Sequence, residues 1–197
     1  MLITVAAMGA ALAMTEQVSR EYTTRLDAAL LQDEVRFALE WIETTLRTAG
    51  SNPHDIATTT CPGAGLEFEA LRLDPNGNSV MDDLRVQADV NPPNGLLGGV
   101  GGVCDEAGED VTIAHDPTAM TITLRDNNLD DNLIAMTDSV ITDLRFAYLD
   151  ANRTPTAVAD AVAFVRVSVT AETPNANRAH GSPDSLTLTT EVRVRTR

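Results

Sequence analysis

Leu30-Leu31-Gln32-Asp33-Glu34-Val35-Arg36-Phe37-Ala38-Leu39-Glu40-Trp41-Ile42-Glu43-Thr44-Thr45-Leu46-Arg47-Thr48-Ala49-Gly50 is the stretch on which the fold turns. Leu30, Leu31, Val35, Phe37, Ala38, Trp41, Ile42, Thr45 and Leu46 recur at i, i+3, i+4 and i+7, the spacing of one apolar stripe on an α-helix. Asp33, Glu34, Arg36, Glu40, Glu43 and Arg47 occupy the other face, with Glu and Arg near enough for weak pairing along the helix. Gly50, followed by Ser51-Asn52-Pro53, is a helix stop. Leu31, Val35, Phe37, Ala38, Trp41, Ile42 and Leu46 are therefore expected to pack the helix on a body, with Trp41 as the anchor.

Upstream, the pattern continues without a proline or turn cluster into the apolar run Met1 to Met14. Residues 1–50 read as one helix, apolar over about 1–14 and an amphipathic stalk over 15–50. The apolar run is shorter than the roughly 20 residues that span a bilayer. A signal peptide would carry a basic n-region, which is missing here, although Ala11-Leu12-Ala13 has the form of a cleavage site. The reading preferred is that Met1 lies inside a longer apolar helix whose first turn is absent from this chain.

Downstream of Pro53 the period changes to two. Leu66–Ala70, Leu84–Val90, Val111–Ile113, Met120–Leu124, Leu144–Tyr148, Val165–Val169 and Leu186–Arg195 alternate as strands do. Asp116-Pro117-Thr118 reads as a hairpin turn. One helix followed by a run of strands argues for α+β architecture, an antiparallel sheet body over 51–197 carrying the N-terminal helix. Asp131–Val140 has room for a short helical turn. Asn91 to Gly102 and Thr173 to Pro183 have loop composition.

The 197 residues contain 29 acidic and 14 basic side chains, all of the latter Arg, for a formal net charge of −15. Such a field repels phosphate backbones, so no nucleic-acid partner is expected. The two cysteines, Cys61 and Cys104, match no zinc or CxxC spacing. In an oxidising compartment they are expected to form a disulfide that stabilises by about 4 kcal/mol; two buried free thiols are the alternative.

His54, His115 and His180 have no nucleophile at motif spacing, and no phosphate-cradling or metalloprotease motif occurs, so an enzyme is not expected. The one suggestive cluster is Asp74, Asn76, Asn78, Asp82 and Asp83. Its oxygen ligands fall at i, i+2, i+4 and i+8/i+9, like the front of a calcium loop, though EF-hand spacing fails. From Asp74 to Asp116 nine acidic residues face one Arg, and a bound calcium would relieve that repulsion. The alternative is an Asn-Gly turn joining two strands amid solvated carboxylates.

Met1-Leu2-Ile3-Thr4-Val5-Ala6-Ala7-Met8 resembles the interior of a type IV prepilin N-terminus. Gln32 to Gly50, with Arg36-Phe37-Ala38-Leu39 and the closing Arg47-Thr48-Ala49-Gly50, is similar to the helix of W/J-type minor pilins and pseudopilins. Weaker likenesses run through Asp82–Asp89, Gly108–Ile113, Thr121–Asn127, Asp143–Asp150, Val165–Thr170 and Leu188–Arg195. The processing motif, the new N-terminal Phe and the fifth-position Glu of that family do not occur in this chain. The resemblance implies a non-enzymatic subunit of a type IV pilus or type II secretion pseudopilus. Such a subunit is held in the inner membrane with a periplasmic domain, then assembled with other subunits through its helix. Leu2, Ile3, Val5, Met8, Leu12 and Met14 would form the interface. A secreted calcium-dependent binding module with a degenerate signal peptide is the competing expectation.

Overall fold

Nothing between Leu2 and Thr48 breaks a helix: Gly9 is the only glycine and proline is absent. The computed structural model describes residues 2–58, 67–90, 93–98, 105–129, 133–173 and 185–195, with helix side chains from Met14 on except Arg20 and Thr24. α1 spans Leu2–Thr48, 47 residues, about 70 Å at 1.5 Å per residue. It ends as its sequence requires. Gly50 adopts φ +72°, and its N–H donates to Gln87 O at 3.0 Å, tying the helix stop to the sheet.

Among the described residues eight strands follow, in two antiparallel meanders. β1 (Leu71–Leu73), β2 (Asp83–Gln87), β3 (Asp110–Asp116), β4 (Thr121–Asp126) and β5 (Leu133–Ala135) form one sheet in chain order. β6 (Ile141–Leu149), β7 (Phe164–Glu172) and β8 (Ser185–Arg193) form the other. The second half of α1 lies across β7 and β8. Val35, Ala38, Ile42 and Leu46 of the helix join Leu84, Ile113, Ile122, Leu144, Val165, Val167 and Val169 in one apolar core. The first sheet closes on the second at β6, where Phe146 N–H donates to Met81 O and Ile141 N–H to Met120 O, both at 2.8 Å.

The α+β expectation and most strands hold, with corrections. The first strand is Leu71–Leu73 rather than Leu66–Ala70, because the register with β2 begins at Leu71↔Val86. Within the described part of the expected strand, 67–70, only Glu67 makes a bridge, to Thr58. Asp131–Val140 holds no helical turn over its described part; Leu133–Ala135 instead pairs with β4, its ladder continued by Met136 N–H to Ile122 O. The loop expected at Asn91–Gly102 is clipped in its described part, 93–98. Buried Asp89 accepts from Asn94 and Gly95 N–H, and buried Glu109 from Gly98 N–H. Cys61, Cys104 and residues 174–183 of the second loop lie outside the described residues.

Candidate functional site: the unpartnered face of the helix

At 100° per residue the apolar positions of α1 fall into two sets rather than the single stripe the sequence suggests. Leu31, Val35, Ala38, Ile42 and Leu46 are buried as expected, Trp41 is half-buried against the core, and Leu39 and Ala49 join them. Phe37 does not pack on the body, nor does Leu30. They are 52% and 66% exposed, because Phe37 lies about 160° round the axis from Val35. With Leu26 they form a second apolar face, roughly opposite the first.

That second face runs on towards the N-terminus. Met14, Val18, Tyr22, Leu26 and Leu30 are spaced by four, and all are exposed large hydrophobics. Each step advances about 40° round the axis, so the side chains make one slowly winding ridge. Rows spaced by four are the ridges that helices use to interdigitate with other helices. A row of exposed apolar side chains of this kind is a candidate interaction surface. Among the proposed assembly residues, Met14 is exposed at the start of the ridge. Leu2, Ile3, Val5, Met8 and Leu12 lie in the helix, and their side chains are outside those described. Among the described residues no helix is long and apolar enough to cross a membrane.

The acidic turn uses most of its oxygens on its own backbone. Asp74 accepts from the N–H groups of Asn78 and Ser79, Asn76 Oδ1 from Asn78 N–H, and Asn78 Oδ1 from Val80 N–H. Among the described residues no group of three or more His, Cys, Asp or Glu side chains has metal-holding geometry. Two carboxylate oxygens stand apart: Asp82 Oδ1 and Asp83 Oδ1 are buried with no hydrogen-bond partner. Asp83 is 2% exposed. Its burial, against the pull of an Asn76 N–H on Oδ2 and reinforced by Asp74 and Asp82, pushes its pKa up to about 6.

A raised carboxyl pKa means the folded chain holds that proton more tightly than the unfolded chain. The charged form therefore costs stability, progressively from about pH 4 to about pH 6 and fully above. Asp83→Asn is expected to raise stability by about 1–2 kcal/mol at pH 8, after allowance for solvent screening, and to leave it unchanged at pH 4. Urea midpoints at the two pH values measure this, and a loss at pH 8 without added cation would refute it.

The two described histidines do not share a site. His54 Nε2 lies 3.1 Å from Pro93 O and His115 Nε2 3.1 Å from Ile141 O, each engaged with a backbone carbonyl; His180 is outside the described residues. A depression of about 640 Å³ between Glu67–Leu73 and Ala157–Asp160 is lined by carboxylates and one Arg but by no nucleophile with a base. The chain matches no protein-family model, and neither curated proteins nor solved structures offer a significant match.

Proposed function

We propose that the chain is a non-enzymatic assembly subunit of the minor pilin or pseudopilin kind, joining a type IV pilus or type II secretion pseudopilus through α1. The observation that carries this is the ridge Met14, Val18, Tyr22, Leu26 and Leu30, continued by Phe37. It is an apolar surface on a helix whose body-facing side is already filled. Neighbouring helices with the same four-residue row are its natural partners. The apolar run from Leu2 to Met14 continues the helix beyond the part packed on the core and suits an inner-membrane location before assembly, with the sheets in the periplasm.

Leu26→Asp combined with Leu30→Asp places two charges on the ridge and touches nothing in the core. The double variant is expected to melt within about 2 °C of the parent, as surface changes do, yet to be lost from sheared filament or pseudopilus fractions. Its retention there at parental level would sink the reading.

Calcium at the Asp74–Asp83 turn is a separable part of the proposal, supported by the unpartnered oxygens of Asp82 and Asp83. Bound calcium would supply what those oxygens lack and reverse the cost of the Asp83 charge. A melting midpoint that rises with calcium in the parent but not in Asp83→Asn supports the site. An unchanged parental midpoint removes it.

A further inference from the structure

The register of the first sheet assembles something that the sequence does not display. Arg72 lies opposite Arg85, Arg85 opposite Thr112, and Thr112 opposite Arg125. Three of the fourteen arginines thus stand in one cross-strand row, on a chain whose net charge is −15. Like charges directly opposite each other destabilise a strand pair, so an Arg–Arg neighbour is an arrangement with a cost. Beside the row, Ala114 pairs with Thr123. These small side chains leave a depression of about 450 Å³, lined by all three arginines. That volume is in the range of small-ligand sites.

The guanidiniums are not equivalent. Arg85 is taken: its Nε and Nη2 donate to Asp110 at 2.6 and 2.5 Å as a two-pronged pair. Arg72 and Arg125 have no anionic partner among the described residues, and Arg125 Nε is buried without an acceptor. Two carboxylates also line the depression, Asp83, which is buried with its Oδ1 unpartnered, and Asp116, and each accepts from its own turn. Asp83 Oδ2 accepts from Asn76 N–H and Asp116 Oδ1 from Thr118 and Ala119 N–H. The depression therefore offers two planar cations unmatched among the described residues, with a third fixed between them.

The geometry points to a carboxylate-binding site on the outer face of the first sheet, gripped by Arg72 and Arg125. A guanidinium presents parallel N–H donors at the spacing of carboxylate oxygens, and an incoming carboxylate relieves the Arg–Arg repulsion. The carboxylate arrives either on a small free acid or on an acidic side chain of a partner peptide. This assignment is independent of the helix reading.

Titration calorimetry of the full chain with glutarate, with an acetylated oligo-glutamate peptide and with inorganic phosphate tests it. Saturable binding of either carboxylate probe is expected, with a tenfold or greater loss in Arg125→Gln and in Arg72→Gln. Both variants should keep the parental circular dichroism spectrum and a melting midpoint close to the parent's, slightly raised in Arg72→Gln, which removes the charge opposite Arg85. Glutarate binding as tightly as the peptide assigns the site to a free acid; peptide binding alone assigns it to a partner protein. Absence of saturable binding of both carboxylates up to about 10 mM, phosphate binding as tightly as glutarate, or full affinity in Arg125→Lys would overturn the proposal.

Discussion

Gly50→Ala is expected to destabilise the chain by about 2–5 kcal/mol, lowering the melting midpoint by roughly 5–15 °C. Two costs combine. An L side chain at φ +72° is strained, at about 1–2 kcal/mol. A Cβ there would also sit 2.3 Å from Arg195 O and 3.1 Å from Ala70 Cβ. The first of these is backbone, so no side-chain rotation relieves it. Relief requires moving either the helix end, held by Gly50 N–H to Gln87 O, or the segment after β8. Gly77→Ala is the control: φ is +70°, with nothing within 4 Å. It carries the strain without the clash, and is expected to cost only about 1 kcal/mol. Equal losses in the two variants would mean that the close approach at Gly50 contributes nothing.

Asp110→Ala is the second large effect, expected at about 3–5 kcal/mol from urea unfolding. The Asp110 side chain is fully buried and accepts from four groups. Arg85 holds it with two N–H groups, Gln87 Nε2 donates at 2.8 Å, and Asn127 Nδ2 donates at 2.8 Å. The pair holds the Arg85 guanidinium above its ordinary pKa, chiefly through the Asp110 hydrogen bond. Removing the carboxylate leaves a mostly buried cation and two amide donors without their acceptor, and that desolvation is the source of the cost. A loss under about 1 kcal/mol would show that water reaches and replaces the carboxylate.

The helix stop at Gly50 and the strands with strict alternation were legible because each follows from local chemistry. Positive φ selects glycine, and a half-buried strand repeats every second residue. The two faces of α1 were not separable by inspection. Leu30 and Leu31 are neighbours in sequence but point to different faces, so a list of apolar spacings absorbs both into one stripe. Only the docked sheet tells Phe37 from Ala38. β5 was missed because Leu133–Ala135 is too short to show a period, and its pairing partner rather than its composition makes it a strand.

The acidic stretch teaches a related lesson. Its charge was plain, while its destination was not. Asp74, Asp83, Asp89, Glu109 and Asp116 each accept backbone N–H groups of nearby turns and loops, and Asp110 holds Arg85. Much of the repulsion that suggested a cation is thus relieved by peptide dipoles. Knowing which N–H groups lack a strand partner requires the fold. The arginine row is hidden for the same reason: Arg72, Arg85 and Arg125 are far apart in the chain and meet only through register.

The long helix is one element in geometry but two in thermodynamics. From Leu31 onward each turn is clamped by the core; among the described side chains before it none joins that core, and a helical segment without such packing is only marginally stable in water. In the proposed filament, docking the ridge on a neighbour would supply the packing that this half does not take from the core. Joining the assembly and finishing the fold would then be a single equilibrium, and the density of neighbouring subunits, acting by mass action, would set how much of the helix persists.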